Sequence, residues 1–143
     1  MLQHLKKLLS PPSNNKEAQP SLILACGALL LELAQIDGEE ARSEQIQLIT
    51  ALQELYGLSV EEATVAITQA RKLLNKSVDS YIFTRILRDE CSVKERQKIM
   101  QQLWAVAYAD KLLDIQEEAR LRKCADLLGL THSEYLQAKH AAN

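Results

Sequence analysis

The sequence is poor in residues that break or stiffen helices. Its 143 residues include four glycines and three prolines, and aromatic residues make up only 4%. Leu, Ala, Gln, Glu and Lys are abundant instead, a balance that favours helices over strands. We therefore expect an all-α protein. A chain of this length is usually a single domain that buries enough surface for a core of its own.

Informative cysteine patterns, strong net charge and long apolar runs are also absent. Cys26, Cys91 and Cys124 lack the spacing of a zinc site or a disulfide framework. The net charge of −2 gives no overall positive field to attract nucleic acid. The apolar run at residues 22–31 is shorter than the ~20 residues that cross a bilayer. We expect a cytoplasmic protein with free thiols, no integral membrane segment and no nucleic-acid partner.

The first twenty residues differ in composition from the rest. All three prolines lie between Ser10 and Pro20, in a segment with few apolar residues. This composition is typical of a linker. The residues before it predict a short amphipathic helix, so residues 1–20 form a helix and linker, and the compact domain spans residues 21–143.

Capping signals divide the domain into about seven helices. Ser59, Ser92 and Thr131 are each followed three residues later by glutamate, which is the pattern of a capping box at a helix start. Gly57 and Gly129 stand where glycine commonly ends a helix. The predicted helices span about residues 21–36, 43–56, 60–75, 79–90, 93–109, 114–129 and 131 onward.

The domain also repeats itself. Asp37 is followed seven residues later by Glu44, and 73 residues downstream Asp110 is followed seven residues later by Glu117. Apolar positions coincide at the same offset, among them Leu30 with Leu103 and Ala34 with Ala107. The pattern predicts a compact bundle with two pseudo-repeated helical pairs, in which the first helix of each pair is the most buried.

Several longer stretches carry a family resemblance. They are residues 103–110 (LWAVAYAD), the two Asp turns and the endings LYGLS at 55–59 and LLGLT at 127–131. With these features, the chain resembles the TerB-like family associated with tellurite resistance. The segments YIFTR at 81–85 and ADLLGL at 125–130 resemble a bacterial branch of that family.

The resemblance covers about residues 20–140. It implies a compact helical bundle with two pseudo-repeated helical pairs. It also implies links to tellurite and metal stress, to a membrane-anchored co-chaperone that contains a related domain, and to metal binding at the Asp-Gly turns.

Two departures from the family pattern bear on metal binding. The family has an Asp-Gly-x-apolar turn with a glutamate seven residues after the aspartate. Here Glu40 stands at the apolar position, and Lys111 replaces the glycine of the second turn. Because a lysine beside Asp110 repels a cation, we expect at most one weak divalent site, at the Asp37 turn.

The acidic turns have two interpretations. Asp37 and Asp110 each end a helix, where the macrodipole disfavours a negative charge by ~0.3–1 kcal/mol, so compensation is expected nearby. In a structural interpretation, each aspartate accepts backbone N–H bonds within its turn, and Asp114 and Glu117 form a capping box. In a functional interpretation, carboxylates hold a hard cation such as Ca²⁺. The candidate metal ligands are then Asp37, Glu39, Glu44, Asp110, Asp114 and Glu117.

Charge is unevenly distributed along the chain. Residues 32–62 hold eight acids and one base, whereas residues 71–98 hold eight bases and four acids. The bases either belong to solvated helix faces or form a surface that binds an anion or a partner. The candidates for that surface are Arg85, Arg88, Lys94 and Lys98.

Catalytic patterns are missing. No acid, base and nucleophile converge in the sequence, and no glycine-rich loop is present to hold a phosphate. We interpret the chain as a non-enzymatic interaction or ion-responsive module, with a protein partner and no cofactor beyond a weakly held divalent cation. The alternative is a divalent-metal-binding stress protein that uses the Asp37 and Asp110 turns. A third interpretation, a carboxylate-based hydrolase, depends only on the clustered carboxylates.

Overall fold

The computed structural model describes residues 21–34, 42–76, 81–109 and 115–142. Within these ranges the chain forms seven helices and no strand, which confirms the all-α prediction. The helix and linker predicted for residues 1–20 lie outside them. The helices are α1 (Leu22–Ala34), α2 (Arg42–Tyr56), α3 (Val60–Lys76), α4 (Tyr81–Glu90), α5 (Val93–Tyr108), α6 (Ile115–Leu127) and α7 (His132–Ala142).

Three capping boxes begin helices where the sequence predicts them. At each one, the cap hydroxyl accepts the N–H of the glutamate three residues on, and the glutamate carboxylate accepts the N–H of the cap residue. The donor–acceptor distances are 2.8–3.2 Å. Ser59, Ser92 and Thr131 thus satisfy N–H groups that would otherwise have no acceptor at the starts of α3, α5 and α7.

Two glycines end helices in the left-handed region. Gly57 follows α2 with φ of 66°, and Gly129 follows α6 with φ of 73°. A side chain is strained at such a φ, which is why glycine is favoured there. The turn at Gly129 also has the paired bonds of a Schellman motif, from Gly129 N–H to Asp126 O and from Leu130 N–H to Ala125 O, both 3.0 Å.

The core is built around α1. Ten of its thirteen residues are buried, and α5 follows with seven of sixteen. Leu30 and Leu103 are both fully buried, as the repeat predicts. Because α1 packs against α2, α3, α4 and α5, its apolar run is enclosed by protein. Across the helices of the described ranges, none is both long and apolar enough to span a membrane.

The packing follows the repeat. In each unit of three helices, α1–α3 and α5–α7, the first helix makes its most extensive contact within the unit with the third. The remaining helix, α4, packs against α1 and α6 and so joins the two units. Superposition of the two helical pairs stays a prediction.

The contacts between the first and third helices differ in the two units. In the first unit, a β-carbon placed at Gly27 would lie 3.0 Å from Cβ of Ala70, so α1 and α3 cross closely. In the second unit, Trp104 takes the place of Leu31 along the repeat, and its ring centroid lies 5.6 Å from that of Tyr135. At these paired positions the second unit has aromatic side chains where the first has the aliphatic Leu31 and Ala63.

Candidate functional site

Most of the predicted metal ligands lie outside the part of the chain that the structure describes. Asp37 and Glu39 fall between α1 and α2, and Asp110 and Asp114 fall between α5 and α6. Glu44 belongs to α2, but its side chain is not described. A metal site at these turns therefore stays a prediction.

Glu117 is the predicted ligand whose side chain is described. It lies in the first turn of α6 and is 6% exposed. A buried carboxylate is costly without compensation, and the N-terminal end of a helix favours its negative charge. The described ranges hold no group of three or more His, Cys, Asp or Glu residues that could bind a metal ion.

The side chains of the predicted basic surface are all exposed. Arg85 and Arg88 lie on α4, and Lys94 and Lys98 lie one turn apart on α5. Arg88 Nε contacts Asp89 Oδ1 at 3.3 Å, in an exposed pair that contributes little stability. Of the four cations, Lys94 and Lys98 line a common cavity.

That cavity is a shallow groove between α5 and α7, with a volume of about 250 Å³. Lys94, Gln97, Lys98 and Gln101 line its α5 wall, and Gln137 lies on its α7 wall. We call this surface the α5–α7 groove. Two ammonium groups and three carboxamides thus surround one space, whose remaining lining residues are alanines.

Sequence reasoning missed the three glutamines. Gln97 and Gln101 follow Lys94 at i+3 and i+7, so helical spacing would place them on the face of the two lysines. Gln137 enters through tertiary packing, because Gln97 Nε2 donates to its Oε1 at 3.0 Å across the two helices.

Arg96 fixes the helices beside the groove. Its Nη1 donates to the carbonyl oxygens of Leu128 at 2.6 Å and Gly129 at 3.3 Å, and its Nε donates to the carbonyl oxygen of Cys91 at 3.2 Å. One guanidinium therefore links the turn before α5 to the turn before α7.

A second cavity, of about 160 Å³, lies between α6 and α7. We call it the α6–α7 pocket. Its polar lining residues are Arg122 and Asp126 of α6, Thr131 of the intervening turn, and His132 and Tyr135 of α7. The Tyr135 ring lies with its centroid 6.0 Å from that of His132.

An aromatic cluster lies behind this pocket. Trp104 is fully buried, as expected for a core residue, and its ring stacks on that of Tyr108 with centroids 5.4 Å apart. Lys139 Nζ lies 5.1 Å from the Trp104 ring centroid, in a cation–π contact, and 3.9 Å from Glu118 Oε1.

The three cysteines are free thiols in the structure. Burial raises the pKa of Cys26 to about 12 and that of Cys91 and of Cys124 to about 11. Because the thiolate is the nucleophilic form, all three are poorly reactive at neutral pH.

The fold and these surfaces define a two-repeat all-α bundle with a basic groove. A family model described as "Tellurite resistance protein TerB" matches residues 23–140. The match spans nearly the whole chain, and the chain belongs to this family. No curated protein and no solved structure matched it.

Proposed function

We propose that this chain is a non-enzymatic binding module of the TerB family that acts in tellurite or metal stress by holding an acidic segment of a partner protein in the α5–α7 groove. The observation that supports it is the pairing of Lys94 with Lys98 beside Gln97, Gln101 and Gln137. The cytoplasmic location expected from the free cysteines belongs to the same proposal.

The chemistry of the groove suits an acidic peptide. Lys94 and Lys98 lie at i and i+4, so their Cβ atoms are about 5–6 Å apart. Carboxylates one turn apart on a partner helix would match that spacing, and the glutamine carboxamides can both donate to and accept from a peptide. The residues that line the groove include no carboxylate to oppose such a ligand.

The groove is also held in place before binding. Gln97 Nε2 bonds to Gln137 across it, and Arg96 links the turns that precede α5 and α7. A preformed surface loses less conformational entropy on binding. Since both lysines are exposed, we expect modest affinity, fast association and strong weakening by salt.

The test is the binding of a fluorescent oligoglutamate peptide, followed by fluorescence anisotropy. Replacing both groove lysines, Lys94→Gln with Lys98→Gln, should weaken binding roughly 5- to 30-fold, because two exposed ion pairs contribute up to about 1 kcal/mol each.

The matched control is Lys72→Gln with Lys76→Gln. These exposed lysines lie one turn apart on α3, so the control removes the same charge at the same spacing. It should change the affinity less than about twofold if only net charge is altered. Equal losses in the two double variants would show that net charge alone binds the peptide, and would reject the groove.

A second proposal retains the divalent cation. It is supported by the sequence Asp37-Gly38-Glu39-Glu40 with Glu44, which offers several carboxylates beside a flexible glycine. In this case the chain responds to a metal ion rather than to an acidic partner. Calorimetric titration with Ca²⁺ and Mg²⁺ distinguishes the two proposals.

A further inference from the structure

Three polar residues that line the α6–α7 pocket have apolar counterparts in the first unit of the repeat. At the corresponding positions, Ile49 stands for Arg122, Val60 for His132 and Ala63 for Tyr135. Thr131, in contrast, corresponds to Ser59, which has the same capping role in the first unit. The cation, the imidazole and the phenol are therefore specific to the second unit.

The pocket contains a buried hydroxyl group. Tyr135 is 3% exposed, and among the residues that the structure describes its Oη has no partner at hydrogen-bonding distance and angle. A buried hydroxyl without a hydrogen bond is unfavourable, so a ligand that bonds to it would gain affinity. Burial raises the pKa of Tyr135, and the nearby Arg122 lowers it. Arg122 and Tyr135 both line this pocket, so the guanidinium and the phenol are neighbours there.

We propose that the α6–α7 pocket binds a small monocarboxylate, which accepts hydrogen bonds from Tyr135 Oη and the Arg122 guanidinium. Carboxylate oxygens are acceptors, and a guanidinium matches the carboxylate plane with two parallel N–H groups. Ala125 and Leu130 provide apolar walls for a short tail. A volume of about 160 Å³ admits a ligand of a few heavy atoms and excludes a peptide.

The negative groups around the pocket favour a single charge on the ligand. Asp126 lines the cavity, and Glu118 Oε1 lies 3.6 Å from Arg122 Nη2. The guanidinium has five N–H donors, so this loose and exposed pair leaves donors for the ligand. A dianion would meet stronger repulsion from both carboxylates.

Trp104 provides the signal for a test. It is the only tryptophan of the chain, and its ring centroid lies 5.6 Å from that of Tyr135. We would titrate the full chain with sodium acetate at constant ionic strength and follow tryptophan fluorescence, with sodium chloride as the blank. The expected result is a saturable change with acetate and none with chloride.

Three variants test the assignment. Tyr135→Phe removes only the hydroxyl, and Arg122→Gln removes the cation; each should weaken acetate binding about fivefold or more, as expected for the loss of a charge-assisted hydrogen bond. Asp126→Asn removes the opposing charge and should strengthen binding. Arg120→Gln is the matched control, because Arg120 is exposed on the same helix and does not line the pocket.

Several outcomes would overturn the proposal. They are the absence of saturation in the wild type, an unchanged affinity in both Tyr135→Phe and Arg122→Gln, and an equal loss in Arg120→Gln. Thermal melts check that each variant folds. If Tyr135→Phe does not fold, Arg122→Gln still tests the proposal, because Arg122 is exposed. The groove variant, Lys94→Gln with Lys98→Gln, should bind acetate normally, so this proposal and the proposed function fail separately.

Discussion

Arg96 Nη1 donates to the carbonyl oxygen of Leu128 at 2.6 Å, which connects the first turn of α5 to the end of α6. The last carbonyls of a helix lack intrahelical donors, and a cation is favoured at that end of the dipole. The same side chain reaches Cys91 O through Nε. Arg96 is therefore a helix cap supplied by a distant part of the chain.

Replacing this cap should destabilise the fold. Arg96→Gln removes charge-assisted bonds to three carbonyls, and hydrogen bonds to charged groups contribute about 1.5–3 kcal/mol. We expect a loss of about that size in the free energy of unfolding, measured by urea denaturation. The exposed Lys98→Gln serves as control and should stay within about 0.5 kcal/mol of wild type. If the free energy of unfolding fell no more in Arg96→Gln than in Lys98→Gln, the capping role of Arg96 would be contradicted.

The two glycine turns should respond differently to alanine. Both have positive φ, so each substitution carries a backbone cost of roughly 1–2 kcal/mol. A β-carbon at Gly57 meets nothing within 4 Å, whereas one at Gly129 would lie 2.8 Å from Arg96 Nη1. We therefore expect Gly129→Ala to lower the melting temperature more than Gly57→Ala. Equal decreases in melting temperature would mean that the Arg96 side chain moves away from the added β-carbon without loss of stability.

The capping box of α5 should make stability depend on pH. The backbone N–H and hydroxyl of Ser92 hold the pKa of Glu95 below its usual value of 4.5. A carboxylate with a lowered pKa in the folded state stabilises the fold above its unfolded pKa. That contribution disappears as the pH falls through the folded pKa.

Glu95→Gln should therefore flatten the decline of stability below pH 4.5, as measured by urea denaturation across acidic pH. At neutral pH the same substitution should cost under about 1 kcal/mol, because glutamine also serves in a capping box. If the free energy of unfolding of the variant declined at acidic pH as steeply as that of the wild type, Glu95 would not be the cause of the decline.

The local features of the fold were predictable, because they depend on neighbouring residues. Ser59, Ser92 and Thr131 each bond to a glutamate three residues away, so a short sequence pattern contains both partners. Gly57 and Gly129 stand at helix ends for a reason of backbone geometry, which single residues also reveal.

The surfaces were harder to predict, because their residues meet through packing. Gln97 and Gln137 are forty residues apart in the chain, and no helical periodicity relates α5 to α7. The bond from Arg96 to Leu128 spans 32 residues. The burial of the Tyr135 hydroxyl could not be foreseen either, since it depends on how its ring packs beside Trp104.

Glu117 can distinguish a cap from a metal ligand. If it caps α6, Glu117→Gln should cost under about 1 kcal/mol and Glu117→Ala should cost more, since glutamine can fill the capping role. Because Glu117 is buried, both effects should appear without metal. Thermal melts of the two variants with and without Ca²⁺ provide the measurement. A penalty for Glu117→Gln that appears only with Ca²⁺ would refute the capping account.

The last prediction concerns the two acidic turns. The first offers the carboxylates of Asp37, Glu39, Glu40 and Glu44, whereas the second has Lys111 beside its aspartate. Because a lysine repels a bound cation, we expect one weak divalent site at the first turn and none at the second. Calorimetric titration with Ca²⁺ and Mg²⁺ should detect it, and Asp37→Asn should abolish it while the matched Asp110→Asn leaves it intact. Binding that persists in Asp37→Asn and disappears in Asp110→Asn would reverse the assignment. No binding at all would reject the divalent-cation proposal and leave the acidic-partner proposal in place.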